Sequence, residues 1–278
     1  MLVDTHVHVV ARDDQRYPLR PNRPGLTWIT RHACPIEEYI SLMDANGVDR
    51  AVLVQAMGAY TDDNRYCVDS ARSDRSRFTA VAYVDAHGAD PTGALDTWLA
   101  EGAGGVRIVA ITGSLAAPGV EALWKHAAAR GVPIVATVVE SEVPGLPALL
   151  ERFPDARVAL DHCGFPDLTG APGYPNARPL FELAAFPNLH LKVSTIALDH
   201  ARDGGGDPRG FVDALARAFG PHRLQWGSDW SQTHDRSFAE LVAYAYRSFE
   251  MLGDDARWPL GDTARAFWFQ HAGVGEDN

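Results

Sequence analysis

Three residues of the chain have side chains and a spacing suited to hydrolytic chemistry. His6 and His8 lie near the start of the chain, and residues two apart on a strand point to the same face. Two imidazoles that project together can chelate a metal ion or hydrogen-bond a polar substrate. Asp229 lies in the sequence WGSDW, where burying a carboxylate costs free energy unless it has partners. Beside the two imidazoles, Asp229 could ligate a metal ion or act as a general base for water.

His162 is a further candidate, because it ends an apolar run and Gly164 directly after it permits a tight turn. Alternation from Leu160 predicts that His162 faces the interior and that Asp161 faces outward. Cys163 alternates with His162, which favours a buried and unreactive thiol. The structural alternatives are a satisfied core histidine at 162, two structural histidines at the start of the chain, and a helix N-cap at Asp229.

Two basic residues lie within otherwise apolar runs. Arg107 must meet an anion or several acceptors there, so it would either bind a substrate carboxylate or carbonyl or form a buried ion pair. Lys192 and Ser194 alternate with Leu191 and Val193, which predicts that the polar pair faces the interior of the fold.

Further polar and aromatic residues follow apolar runs and are predicted to contact the substrate. Gln55 ends the second run, and Tyr60 and Asn64 come shortly after it. Ser194 and Trp230 end the seventh and eighth runs and are predicted to contribute to the same surface.

Eight short apolar runs must position these residues. Their β-branched side chains and nearly continuous hydrophobicity are typical of parallel strands buried on both faces. Helix-like segments separate them, such as residues 35–46 before Gly47 and residues 119–130 before Gly131. The runs are Leu2–Val10, Arg50–Ala56, Phe78–Asp85, Gly105–Val109, Val132–Val139, Ala156–His162, Leu189–Thr195 and Leu224–Trp230.

Eight strands alternating with helices in 278 residues predict the α/β class and a single-domain (β/α)₈ TIM barrel over residues 1–278, with some distortion allowed. The alternative is a doubly wound open sheet, which usually has a glycine-rich turn where this chain has Asp4–His8. Residues 11–33 and 167–178 are long segments that follow strands, so we expect them to lie over the mouth of the barrel.

Composition excludes several function classes. The 25 basic and 36 acidic residues give a net charge of −11, which argues against binding to nucleic acid or to anionic membranes. No apolar run reaches the roughly 20 residues of a membrane span, and no signal peptide is evident. Three cysteines without a CxxC pair favour reduced thiols, so we expect a cytoplasmic protein. Aromatic residues within 258–269 suggest a homo-oligomer interface.

Taken in order, the motifs resemble those of the amidohydrolase superfamily, specifically the amidohydrolase-2 branch that includes dicarboxylate and sugar lactonases. The resemblance covers nearly the whole chain, and the set is specific although each motif alone is weak. It rests on Asp4–His8, Val106-Arg107, Asp161–Gly164, Lys192–Ser194, Gly227–Trp230 and Gly261–Ala264.

The resemblance implies a role for each matching residue. His6 and His8 correspond to the metal-binding pair of strand one, and Asp229 corresponds to the strand-eight aspartate that activates water. His162 corresponds to the histidine that contacts the scissile carbonyl, and Arg107 to the arginine that holds a substrate carboxylate.

One departure limits the metal site that the resemblance implies. Metal-dependent relatives usually carry a histidine on strand five, where this chain has Thr137 and Val139. A single Zn²⁺ or Mn²⁺ on His6, His8 and Asp229, with His162 as an additional ligand, is one reading. Catalysis without a metal is the other, since some lactonases of this branch work in that way.

The sequence therefore predicts a hydrolase that opens a small anionic or sugar-derived lactone by water attack on the ring carbonyl. A substrate of this kind, a small molecule, would be oriented by Arg107 and by an arginine from residues 12–31. The first alternative is a metal-dependent decarboxylase or a C–C or amide hydrolase of the same superfamily. The second is a ligand-binding barrel without catalysis.

Overall fold

The computed structural model describes residues 1–12, 15–21, 26, 28–110 and 115–269. They form one eight-stranded parallel sheet in which each strand pairs with the next along the chain, as the barrel prediction requires. The strands are β1 (Val3–Val7), β2 (Arg50–Val54), β3 (Phe78–Tyr83), β4 (Gly105–Ala110), β5 (Ile134–Val138), β6 (Val158–Leu160), β7 (Leu189–Ser194) and β8 (Leu224–Gly227).

Contacts between β1 and the segment after β8 bring the two ends of the sheet together. The amide of Asp229 donates to the carbonyl of His6 at 2.8 Å, and the amide of His8 donates to the carbonyl of Trp230 at 2.5 Å. Val7 and Trp230 form a parallel bridge between these hydrogen bonds. The sheet therefore closes into a barrel at the point where the two histidines meet the aspartate.

Helices connect the strands and cover the outside of the sheet. Gly47 ends the second helix in the left-handed conformation, which suits glycine because it lacks a Cβ. The helices are α1 (Trp28–Arg31), α2 (Ile36–Asn46), α3 (Met57–Tyr60), α4 (Arg65–Ser73), α5 (Pro91–Glu101), α6 (Pro118–Ala129), α7 (Leu146–Arg152), α8 (Arg178–Glu182), α9 (Thr195–Asp203), α10 (Pro208–Phe219), α11 (Phe238–Phe249) and α12 (Thr263–Trp268). None of them combines the length and the hydropathy that a membrane crossing would need.

Aromatic side chains from the last helix fill the amino-terminal end of the barrel. Phe267, Trp268 and Phe269 are buried in a cluster with inward-facing apolar residues of the strands, including Val52 and Val135. The prediction that aromatic residues of segment 258–269 form an exposed interface is therefore wrong for these three. They are consecutive residues at the end of a short helix, and the sequence does not show that this segment turns under the barrel.

Gly227 on β8 permits the close approach of β1. A Cβ atom at this position would lie 2.8 Å from the Cβ atom and 3.0 Å from the backbone nitrogen of His6. Atoms this close must move apart, so any larger residue would push β1 away from β8 and would displace the imidazole.

We therefore expect Gly227→Ala to lower the free energy of unfolding by about 1–3 kcal/mol, the usual cost of forcing extra atoms into a packed interior. Urea denaturation would measure the change. Gly173→Ala is the matched control, because a Cβ there has only one neighbouring atom, at 3.9 Å. Equal stability of the two variants would contradict the packing argument.

Candidate active site

His6, His8 and Asp229 meet at the carboxyl end of the barrel, as the sequence predicts. The Nε2 atoms of the two histidines lie 3.3 Å apart. The Oδ1 atom of Asp229 lies 3.5 Å from Nε2 of His6 and 3.4 Å from Nε2 of His8. At most 3 % of the surface of any of the three residues is exposed.

Hydrogen bonds on the far side of each imidazole determine which nitrogen carries the proton. Nδ1 of His6 lies 3.0 Å from Oδ1 of Asp161, and Nδ1 of His8 lies 2.9 Å from the carbonyl oxygen of Val54. A carboxylate and a carbonyl can only accept, so in the neutral imidazoles both Nδ1 atoms donate and both Nε2 atoms hold lone pairs.

Three electron-pair donors thus converge with no proton donor between them. Oδ1 of Asp229 is buried and has no hydrogen-bond partner in the described part of the chain. Two imidazole nitrogens and a carboxylate oxygen are ligands that Zn²⁺ prefers. Histidines that bind a metal usually donate their other ring N–H to a carboxylate or a carbonyl, as both histidines do here. The residues therefore fit a divalent cation.

Asp161 is the residue that sequence reasoning missed and misplaced. Its Oδ1 atom contacts His6 and lies 3.2 Å from Nζ of Lys192. Its Oδ2 atom accepts from Thr137 Oγ1 at 2.6 Å and from Arg107 Nε at 3.2 Å. The prediction that Asp161 faces outward is wrong.

Strand register explains the error. Ala159 belongs to the cluster inside the barrel, whereas Leu160 packs on the outer side of the sheet. Alternation therefore turns Asp161 inward. β6 ends at Leu160, and His162 reaches the interior because its backbone turns into the left-handed region, with φ 52° and ψ 29°. His162 faces the site as predicted, for a different reason.

The protonation states of these groups follow from opposing effects. Burial would raise the pKa of Asp161, but Lys192, His6 and Arg107 outweigh it and hold the pKa well below its usual range. Burial likewise would raise the pKa of Asp229, but any proton held by the adjacent His8, His162 or His6 stabilises the carboxylate and lowers its pKa to about 2. Burial lowers the pKa of His6 well below its usual range. Both carboxylates are therefore ionised and His6 is neutral near pH 7.

His162 is held by Ser194, the inward-facing residue at the end of β7. The two side chains are joined by a 2.7 Å contact between His162 Nδ1 and Ser194 Oγ. Ser194 Oγ also accepts from the amide of Ala197, so its own hydrogen is free to point at the imidazole. Nε2 of His162 then carries the proton and can donate to a substrate oxygen. Burial lowers the pKa of His162, which keeps it neutral.

Arg107 forms the buried ion pair that was one of its two predicted roles. Its Nη2 atom lies 3.1 Å from Oδ2 of Asp161, and its Nε atom also donates to Thr137 Oγ1 at 2.8 Å. The side chain keeps 9 % of its surface exposed. Contact between a substrate and this exposed part of the Arg107 side chain remains a prediction.

Polar side chains that follow β2 form hydrogen bonds with backbone groups of nearby loops. Gln55 alternates with the inward-facing Val54, so it points away from the barrel axis and donates to the carbonyls of Thr61 and Asp63. The prediction that Gln55 lines the mouth is therefore wrong. Tyr60 is only 1 % exposed, and its hydroxyl accepts a hydrogen bond from the amide of Ala11 at 2.7 Å.

Asn64 is buried, and it clamps a tyrosine that the sequence did not single out. Its side chain accepts from the amide of Tyr83 at 2.7 Å and donates to the carbonyl of Tyr83 at 2.9 Å. Substrate contact by Tyr60 and Asn64 gains no support from these hydrogen bonds. Tyr83 ends β3, shares the face of Val81 and pairs in register with Arg107. Its alternation with inward-facing residues could have revealed it.

Asp4 positions both sides of the site from outside the barrel. It accepts from the amide of His6 at 3.1 Å and from the amide of Ser228 at 2.9 Å, and Tyr39 donates to its other oxygen at 2.9 Å. The buried carboxylate of Asp4 thus fixes the main chain of His6 and that of Ser228, which directly precedes Asp229.

The segment before α2 covers the mouth next to His8. The ring of Trp28 lies 6.0 Å from the imidazole of His8, and the ring of Trp230 packs against Phe238 at 5.8 Å. Arg12 pairs with Glu38, whereas residues 13–14, 22–25 and 27 lie outside the described part of this segment. An arginine from this segment that orients the substrate therefore remains a prediction, as does contact by Trp230.

An eight-stranded barrel with ionisable side chains gathered at the carboxyl ends of its strands has the arrangement of barrel enzymes. The sequence profile of the amidohydrolase family matches residues 3–270, and the chain belongs to this family.

Comparisons with individual proteins agree with this assignment. The chain is 29 % identical over 238 residues to an L-fucono-1,5-lactonase of Burkholderia ambifaria, with 78 % of each chain covered. A crystal structure of a putative 2-pyrone-4,6-dicarboxylic acid hydrolase from Pseudomonas putida has a TM-score of 0.75 and 24 % identity, covering 96 % of this chain and 97 % of that one. An amidohydrolase of Burkholderia multivorans with bound zinc has a TM-score of 0.73 and 22 % identity, covering 96 % and 99 %.

Asp161→Asn should lower the free energy of unfolding by about 3–5 kcal/mol, because it leaves buried cations without their partner. Urea denaturation at pH 7 measures the loss. Asp96→Asn, which removes an exposed carboxylate that pairs with Arg130 and His126, should have a much smaller effect. A loss for Asp161→Asn no larger than that of the control would show that Asp161 does not hold the interior together.

Proposed function

We propose that the protein hydrolyses a small lactone, with Asp229 as the general base. One observation carries the proposal: a fully buried, ionised carboxylate oxygen faces two imidazole nitrogens at the mouth of the barrel and has no hydrogen-bond partner among the described residues. The similarity to a lactonase of known substrate supports lactones as the class.

The reaction requires one proton to move twice. Oxygen of the attacking water bonds to the ring carbonyl carbon while its proton passes to Asp229. The ring C–O bond then breaks, and Asp229 returns the proton to the departing ring oxygen, which gives an open hydroxy acid. A carboxylate with a pKa of about 2 accepts a proton only as the water becomes acidic during attack. The imidazoles that lower this pKa also keep the base available at every ordinary pH.

The other residues orient and polarise the substrate. His162 donates from Nε2 to the carbonyl oxygen, where negative charge develops, and Ser194 keeps the imidazole in that tautomer. The exposed edge of Arg107, together with Tyr83, which pairs with Arg107 in strand register, binds an oxygen-rich or anionic substituent of the ring.

A single divalent cation, Zn²⁺ or Mn²⁺, would be held by His6, His8 and Asp229. Such an ion supplies electrophilic activation of the ring carbonyl when bound. His162 groups instead with His6 and Asp161, so its role as an additional ligand has less support than its role as a donor to the substrate. Thr137 occupies the strand-five position and bonds Asp161, which favours one ion over two.

Asp229→Asn should reduce kcat on a responsive lactone by about 10²–10⁴-fold, the usual contribution of a positioned acid–base group. The lactone panel should include L-fucono-1,5-lactone and 2-pyrone-4,6-dicarboxylate. Asp213→Asn, on the outer helix α10, is the matched control and should retain full activity. Undiminished turnover by folded Asp229→Asn would exclude the general-base role.

Metal dependence separates this proposal from its nearest alternative. We expect elemental analysis to find about one zinc or manganese ion per chain, and His8→Asn to lose it, because two imidazoles and one carboxylate are the ligands available. A metal-dependent decarboxylase would lose all activity on chelation. Full activity on its substrate after complete metal removal would rule out that alternative, whereas a purified protein without bound zinc or manganese would refute the metal site.

A further inference from the structure

A cleft of about 380 Å³ opens at the amino-terminal end of the barrel, opposite the candidate active site. His190, near the start of β7, and Arg157, directly before β6, line one side. Thr263 and Phe267 of α12 and Trp258 line the other. The volume is within the usual range for small-molecule sites.

Two residues that line this cleft each carry a buried polar atom that has no hydrogen-bond partner in the described part of the chain. The two atoms are Nδ1 of His190 and the hydroxyl oxygen of Thr263, whose residue is only 3 % exposed. Buried polar groups in native proteins are nearly always paired, so each such group calls for an explanation. Here both belong to the same cleft, one from a strand and one from the helix that closes the barrel.

The cleft also carries positive charge that is not neutralised by a neighbouring carboxylate. Arg157 donates to the carbonyl of Phe267 and lies over the ring of Phe267, but no carboxylate of the described residues lies within 4.0 Å of its guanidinium. Among the described residues, the guanidinium of Arg223 donates to the carbonyls of Phe219, Phe186 and Ala184 and to no carboxylate. Asp155 is the acidic residue at the rim, and it is exposed.

Titration of His190 agrees with this positive environment. Burial, followed by the charges of Arg223, His222 and Arg157, lowers its pKa to about 4. The imidazole is therefore neutral near pH 7 and can accept or donate one hydrogen bond at Nδ1 according to its tautomer.

The walls of the cleft are largely aromatic. The ring of His190 packs against that of Phe267 at 4.8 Å, and the rings of His222 and Trp258 meet edge to face at 6.5 Å. A flat apolar body could lie against the outer faces of such rings, and a carboxylate group would pair with Arg157.

We propose that this cleft is a second binding site, for a small carboxylate with a flat, apolar body. The carboxylate accepts from the guanidinium of Arg157, and the hydroxyl of Thr263 turns toward the carboxylate and donates to it. The apolar body lies against Phe267 and Trp258. The site is separate from the proposed lactone site and does not depend on it.

Benzoate is the test probe, added to the intact protein as the sodium salt against sodium chloride of equal ionic strength. Histidine side-chain NMR signals follow the binding, and His190→Gln assigns the signal of His190. We expect saturable shifts of the His190 signals and a rise in its pKa from about 4, because a bound anion favours the charged imidazole.

Variants identify the groups that bind the probe. Arg157→Gln should weaken benzoate binding by about tenfold or more, since it removes a charge-assisted hydrogen bond. Thr263→Val keeps the shape of the side chain and should weaken binding by a smaller factor. Arg178→Gln removes an exposed arginine on α8 and should leave binding unchanged.

The absence of a saturable His190 response in tens of millimolar benzoate would overturn the proposal. Equal effects of Arg157→Gln and Arg178→Gln would also overturn it, by showing that the response reflects net charge. If Arg157→Gln fails to fold, the wild-type titration and Thr263→Val decide the question together. Unaltered binding by folded Thr263→Val would then count against the site.

Discussion

One buried carboxylate, Asp161, organises the interior of this barrel. Side chains from β1, β4, β5 and β7 all converge on its two oxygens, so four strands are tied to the residue that follows a fifth. The same carboxylate fixes the proton on His6 and thereby leaves Nε2 free on the catalytic side. Packing of the barrel and preparation of the site for chemistry therefore depend on the same group, which no apolar residue could replace.

Charge is balanced locally even though the whole chain carries −11. Arg107 and Lys192 offset Asp161 and Asp229 around the site, and burial keeps His6 and His162 neutral. An anionic ring that reaches the mouth therefore meets little net repulsion from these groups. The two inward-facing cations act at short range, where solvent screens them least, so their positions matter more to such a substrate than the net charge of the chain.

The barrel and most of the candidate site could be predicted from the sequence. Repeated apolar runs define the strands, and the positions of His6, His8 and Asp229 at run ends place them at one rim. Alternation failed at β6 and β2, because it requires knowing which face of a strand points inward. Leu160 and Gln55 look suitable for the interior by type, yet both face outward. The side-chain hydrogen bonds between Asn64 and Tyr83 join residues 19 positions apart, and alternation along a strand does not report such a contact.

The helix α12 adds a constraint on the order of events during synthesis. Phe267 and Trp268 fill the amino-terminal end of the barrel, yet they follow all eight strands along the chain. Chains grow from the amino terminus, and domains generally fold as units. When β8 of a nascent chain has emerged from the ribosome, the side chains that cover the amino-terminal end of the barrel interior have not yet emerged. Until they emerge, Val52, Val135 and Ala159 face an open end, where a chaperone or another nascent chain can bind them.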